Sequence, residues 1–318
     1  MAEKAGVIKK KWRWWKKSDT EYLILSLPTI AWYFCFCYLP LFGVIIAFKT
    51  YRISQGSGFL ASLLKSPWVA LNNFKGLFSN PDLAHIVRIT LMYNVVFITL
   101  GVVLPVGLAL IISELRQKTA AKVYQTIMFL PNFLSWVVVG TLVWAFLGSQ
   151  NGLINQVLKF FGGTPHNWYG EPRFWPPFLV LLSEWKGIGF GSVIYLAAIT
   201  SLDKAVYEAA IIDGATKRQQ IWYITLPLIK RIVILMLIMS VGGLFNSDFG
   251  LFWVVPRESV ALYDVTTTTS VLIYKMLKGA APVGVSAAAA FLQSVISCVL
   301  VLLANAVVRK VDNESAMI

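Results

Sequence analysis

Apolar and polar positions in this chain segregate into long blocks. Six stretches, residues 22–48, 89–112, 123–147, 177–200, 232–252 and 287–308, are almost continuously apolar. Each reaches the roughly 20 residues that an α-helix needs to cross the hydrocarbon core of a bilayer. The pattern predicts an all-α integral membrane protein with six transmembrane helices. These form one domain over residues 22–308, flanked by a basic segment 1–21 and a short tail 309–318. The first stretch is too long for a signal-peptide core and lacks a small-residue cleavage site, so it is expected to be retained.

One polar interval stands apart, the run Glu208 to Pro227 between the fourth and fifth stretches. Glu208, Ala209 and Ala210 are strong helix formers. Asp213-Gly214 is a turn signal, Gly being free to take positive φ, and Ala215 follows it. Thr216 can cap a second short helix, and Leu226-Pro227 is expected to stop that helix before the next span. The predicted element is a helix–turn–helix hairpin over 203–227, shaped to dock on another protein.

Composition narrows the class further. The 318 residues are 57% hydrophobic and only 14% charged, against about 25% charged in a soluble domain. The net charge of +13 does not point to nucleic acid, because the basic residues lie in short connecting segments, not on a soluble face. Segments 1–21, 113–122, 200–231 and 309–318 hold 17 of the 28 Lys and Arg. Short loops rich in Lys and Arg face the cytoplasm, which puts both termini and the hairpin there. The cluster Lys9 to Lys17, with Trp12, Trp14 and Trp15, fits a juxtamembrane anchor against lipid headgroups or a partner contact. Segments 49–88, 148–176 and 253–286 become the outer loops and candidate surfaces for an external partner.

Little of the remaining chemistry suggests catalysis. Cys35, Cys37 and Cys298 lie in apolar spans and read as small buried hydrophobes. His85 and His166 read as loop residues, and neither belongs to a metal pattern. Gly214-Ala215-Thr216-Lys217 lacks the leading glycine spacing of a phosphate loop. Gly189-Phe190-Gly191-Ser192 is not a nucleophile elbow. No catalytic or metal site is expected, and energy for uphill transport would enter from elsewhere.

The run EAA, Asp213-Gly214-Ala215, Ile224-Thr225-Leu226-Pro227 strongly resembles the EAA loop of permease subunits in binding-protein-dependent ABC importers. Ile221 stands where a Phe is common and Arg231 where a second Pro often follows. Tyr38 to Lys49, Leu130 to Val138 and Trp185 to Gly191 resemble the branch that takes up larger oligosaccharides and polysaccharides. The resemblance implies a type I importer permease fold. It also implies a second homologous permease, a dimer of ATPase subunits carrying ATP and Mg with no cofactor bound here, and an extracytoplasmic solute-binding protein. The implied cargo is alginate or another acidic saccharide. Glu208 to Ile221 would then be the coupling helix that fits a cleft on the ATPase.

Glu184, Trp185 and Lys186 fall about ten residues into the fourth apolar stretch, near mid-membrane at ~1.5 Å per residue. Ionisable groups at that depth usually face a bundle interior or a wet path. Trp185 is expected to stack on a pyranose face and Lys186 to attract a uronate carboxylate. Gly187, Gly189 and Gly191 suggest an irregular helix beside a cavity. The alternative, Glu184–Lys186 charge compensation, is disfavoured because residues two apart face different ways. Asn246, Ser247 and Asp248 are weaker candidates for sugar hydroxyls, and Arg88 is either a headgroup anchor or an anion guide. An ion-gradient-driven secondary transporter is the rival reading, though paired repeats and paired midplane carboxylates are missing.

Overall fold

The computed structural model describes residues 17–52, 58–115, 117–279 and 281–311. Residues 1–16, most of the basic anchor, and 312–318 of the tail lie outside them. Every extended element among the described residues is helical; the one bridge pairs Lys49 with Trp68.

Five helices are long and apolar enough to cross a membrane: Asp19–Phe48, Leu83–Ser113, Trp175–Thr200, Lys217–Gly242 and Val283–Lys310. These are the first, second, fourth, fifth and sixth spans. The third is a bent pair, Lys118–Phe133 and Trp136–Leu147, meeting at 94°. With the bent pair counted as one span, the six predicted spans are present, and the third, fourth and fifth depart from the expectation in ways that matter for function.

The third span was expected to be continuous over 123–147. Its first half instead ends in a 3₁₀ turn, Leu130–Phe133, which carries Pro131 in its first positions. Leu134 is extended, and Ser135 starts a new helix by accepting a hydrogen bond from the Val138 N–H at 3.3 Å. A proline that removes one helical donor, followed by a serine able to cap a new start, breaks the rod. Hydropathy alone cannot register that break.

The fifth span was expected over 232–252 and runs from Lys217 to Gly242. Its first third is polar, so an apolar average misses it, and Gly242-Gly243 ends it early. Gly242 is also where a methyl would press within 2.6 Å of Val301 on the sixth span. The chain then loops through residues 243–249 and resumes as a π-turn, Gly250–Val254. Asn246 and Asp248 consequently sit in a break, not on a helix face.

The fourth span is one uninterrupted helix, against the expected irregularity. Its glycines serve close packing instead. A methyl on Gly189 would overlap the Met128 carbonyl and one on Gly191 would lie 3.0 Å from Pro105, whereas Gly187 faces open space. Small residues let membrane helices approach where no hydrophobic drive pulls them together. The buried core lies where the second, third and fourth spans meet the π-turn, around Tyr93, Val143, Trp175, Leu179, Leu251 and Phe252.

Two smaller expectations also change. Cys35, Cys37 and Cys298 are exposed; they lie in spans but on outer faces, not in the core, because hydropathy does not say which face of an apolar helix turns inward. His85 belongs to the second span, with its ring nitrogen 3.0 Å from the Asp264 carbonyl oxygen, while His166 does lie in a loop.

Candidate functional site: a hairpin lever and a polar strip

The hairpin begins at Asp203, whose carboxylate accepts from the Ala205 N–H at 2.9 Å and caps the helix Lys204–Ile212. Glu208, Ala209 and Ala210 ride on this helix, which buries none of its residues in the chain. Asp213 closes it, and Gly214 takes φ +79. The Gly214 N–H donates to Ile211 O at 3.0 Å and the Ala215 N–H to Ala210 O at 2.9 Å. These two hydrogen bonds around a left-handed glycine satisfy the last carbonyls of the helix. Thr216 and Gln219 form a reciprocal capping box that starts the helix Lys217–Gln220.

This second helix does not stop at Leu226-Pro227, as the sequence had suggested. It passes through a π-turn, Ile221–Thr225, directly into the helix Leu226–Gly242. Pro227 sits in the first turn of that helix. The wider π-turn just before it accommodates a ring that would otherwise crowd the preceding turn. The hairpin's second arm and the fifth span are thus one rod. Tyr207 Oη lies 2.9 Å from Thr225 Oγ1, tying the first arm to it. Lys217 pairs with Glu114 at 3.2 Å, linking the hairpin to the end of the second span. Ile212 and Tyr223 are 86% and 78% exposed at this end, an apolar face left uncovered by the described residues.

The second region lies just beyond the far end of this rod, where the chain breaks after Gly242. Asp248 accepts from Trp136 Nε1 at 2.6 Å and from the Gly250 N–H at 2.9 Å. The Lys186 ammonium lies 5.4 Å from the Trp136 ring and donates to Asn132 O at 2.9 Å. Lys186 therefore caps the broken end of the third span's first half, where unpaired carbonyls and the helix dipole favour a cation. Asn94 donates to Leu244 O at 2.8 Å and Asn246 O at 2.7 Å, and Gln293 donates to Asn246 Oδ1. Lys186, Trp136, Asp248, Asn246, Asn94 and Gln293 form one polar strip along the third-span break and the fifth-span break.

Asn246 and Asp248 are exposed, and Trp185 is 42% exposed. Exposed polar groups at span depth are costly against lipid, so this face belongs against water or another subunit. Glu184 is half-buried and has no hydrogen bond among the described residues. Lys186 is engaged elsewhere, so the two do not compensate each other. Ser247 is committed to the fold, its hydroxyl 2.6 Å from Thr268 Oγ1. Arg88 is exposed on the second span.

Sequence reasoning missed Trp136, Asn94 and Gln293. Asn94 and Gln293 carried a usable signal, a lone amide inside an apolar span. Trp136 did not, because its role exists only once the third span bends.

The family model described as "Binding-protein-dependent transport system inner membrane component" matches residues 101–313. The chain is similar to the polygalacturonan/rhamnogalacturonan transport system permease protein YteP of Bacillus subtilis (strain 168), at 33% identity over 94% of this chain and 91% of that protein. A chain in the crystal structure of a bacterial ABC transporter involved in the import of the acidic polysaccharide alginate superposes with TM-score 0.81. It is 31% identical and covers 94% of this chain and 99% of its own. A chain from the alginate transporter in complex with an alginate pentasaccharide-bound periplasmic protein gives TM-score 0.79 at 32% identity, covering 93% and 96%.

Proposed function

We propose that this chain, which belongs to the family of binding-protein-dependent transport system inner membrane components, is a permease subunit of an ATP-driven importer of acidic oligo- or polysaccharide. The observation that carries the reading is a mechanical one. An exposed hairpin is continuous with the fifth span, and the far end of that span breaks at a polar strip. A push on the hairpin is therefore delivered along one helix to the break at Gly242-Gly243, beside which the strip lies.

The hairpin lies on the cytoplasmic side, where the excess of Lys and Arg in the short loops would put it. There the helix carrying Glu208, Ala209 and Ala210, with the exposed Ile212 and Tyr223, docks on a separate ATPase subunit that binds ATP and Mg. ATPase closure tilts the rod through Gly214, Ala215, Leu226 and Pro227, and the bundle exchanges inward for outward access. A second, homologous permease covers the polar strip, and the sugar passes between the two. A solute-binding protein delivers cargo on the opposite face.

The acidic cargo follows from the strip's chemistry and from the relatives. Lys186 has three N–H donors, of which Asn132 O takes one. The others are free for a uronate carboxylate, with Trp185 and Trp136 offering ring faces to a pyranose. Asn246 and Asp248 are placed for hydroxyls. One relative is named for polygalacturonan and another for alginate, both polymers of carboxylate-bearing sugars.

Mild-detergent purification of the chain from its native membrane tests the assembly. A second permease and an ATPase should copurify in fixed ratio, and ATPase activity should rise when loaded solute-binding protein is added. Isolation of a lone chain or of a homo-oligomer without ATPase would refute the reading.

A further inference from the structure

We infer that the polar strip continues outward into an aromatic entry subsite for the acidic saccharide, built from Phe249, Trp253, Tyr274 and Lys278; this rests on the proposed importer reading. The direction is fixed by packing. Gly250 lies against Trp136, Gly140 lies against the Val254 carbonyl, and Arg257 lies 4.6 Å over the Trp144 ring. The π-turn therefore runs beside the second half of the third span, away from the hairpin and toward the outer face.

Phe249 follows Asp248 directly. Its ring stacks with Trp253 at 5.8 Å and an interplanar angle of 20°, and Tyr274 meets both rings edge-on at 4.7 and 5.1 Å. All three rings are only partly buried. Two nearly parallel, half-buried rings with Tyr274 edge-on to both make an aromatic cluster whose exposed portion can take the apolar face of a sugar, and the Tyr274 hydroxyl adds a polar group beside them.

Two lysines flank the platform, and their surroundings separate their roles. Lys275 donates to Thr267 Oγ1 at 2.9 Å and lies 3.4 Å from the Tyr263 ring centroid. Burial pushes its ammonium below the usual lysine range, and Glu258 opposes that. Lys275 thus clasps its own helix, Thr269–Lys278, to the segment that carries Tyr263 and Thr267, with its ammonium 5.9 Å over the Trp253 ring. Lys278 is exposed, lies 5.5 Å over the Tyr274 ring, and has no hydrogen bond among the described residues. It is the cation free to meet a carboxylate. Sugar face on Phe249 and Trp253 with uronate on Lys278 gives the same pairing, ring with ammonium, that Trp136 and Lys186 repeat deeper in the strip. The rings and charges thus form a graded track along one wall.

A lipid-facing aromatic belt would also combine Trp, Tyr and Lys, and the test separates the two. Complexes reassembled in liposomes with the second permease, ATPase and solute-binding protein are assayed for uptake of alginate pentasaccharide and of oligogalacturonate. Lys278→Ala and Trp253→Leu should each lower uptake per inserted complex at sub-saturating cargo by about threefold to fivefold. Lys278→Arg should retain uptake within about twofold. Variants that insert less but transport normally per complex, or that stay within about twofold of the unaltered chain, would overturn the subsite and leave the importer reading intact. Failure of the unaltered complex to take up either saccharide would remove both.

Discussion

Gly187 and Gly189 offer a matched pair for testing how the fourth span holds the site. Both lie in the same helix, one residue past Lys186 and three past it. Adding a methyl to either gains the same intrinsic preference of Ala over Gly, about 1 kcal/mol, so that gain cancels in the comparison. What differs is space. Around Gly187 nothing lies within 4 Å of the added carbon, whereas at Gly189 it would sit 2.7 Å from Phe129 N and overlap the Met128 carbonyl oxygen. Those atoms are backbone and cannot rotate away, so the third span's first half must shift by ~1.5 Å to restore ordinary contact. Overpacking of this kind costs about 1–3 kcal/mol. At roughly 2–4 °C per kcal/mol for a chain of this scale, Gly189→Ala should melt some 3–10 °C below Gly187→Ala. The measurement is the apparent Tm of the purified complex at one fixed heating rate. The shift would also move Asn132 away from Lys186, so uptake by Gly189→Ala should fall while Gly187→Ala behaves as the parent does. Equal melting temperatures for the two variants would refute the close contact between the fourth span and the third-span break.

Three further outcomes follow from the same geometry. Gly214→Pro cannot adopt φ +79 and loses the N–H given to Ile211 O; membrane insertion should persist while ATP hydrolysis no longer drives uptake, and normal coupled uptake would take the hairpin out of the mechanism. Lys186→Ala should weaken uptake of an acidic saccharide about tenfold and of a neutral one much less, as read from initial rates; equal losses would point to a structural role at Asn132 alone. Tyr207→Phe removes only the hydroxyl that meets Thr225, a loss of about 1 kcal/mol. It should lower the ratio of uptake to ATP consumed without changing the amount of complex assembled, and an unchanged ratio would show that the two hairpin arms need no tie.

The architecture was legible in the sequence wherever a single physical rule governed the segment. Six apolar stretches of sufficient length specify six spans because a bilayer accepts little else. The hairpin's turn was legible for a similar reason, since Asp213-Gly214 followed by Thr216 satisfies helix ends locally. Reasoning from local rules failed where two of them competed. Pro227 reads as a stop, yet a π-turn lets the helix continue through it, and this is what makes the hairpin and the fifth span a single lever. Pro131 sits in a run apolar enough to read as continuous, yet with Ser135 it bends the third span by 94°. Glycines at 187, 189 and 191 suggested a broken helix, although the helix is continuous, Gly189 and Gly191 serving packing against Met128 and Pro105 and Gly187 facing open space.

The polar strip was half legible. Lys186, Asn246 and Asp248 attract notice because polar groups in apolar surroundings are expensive. Their connection through Trp136 depends on two breaks in two spans that are more than 100 residues apart in sequence. No local pattern encodes that meeting. The same holds for Glu114 and Lys217, an exposed pair worth little to stability, which ties together segments that a linear reading treats separately.

The central claim is that movement of the hairpin, driven by ATP on a separate subunit, carries an acidic saccharide past the polar strip. Its most direct test is uptake of alginate pentasaccharide into liposomes holding the complete complex, with ATP supplied on the hairpin side and all ion gradients collapsed by ionophores. Uptake that requires both ATP and loaded solute-binding protein, and that is unaffected by the ionophores, is the predicted result. Uptake that proceeds without ATP and vanishes when the gradients collapse would contradict it.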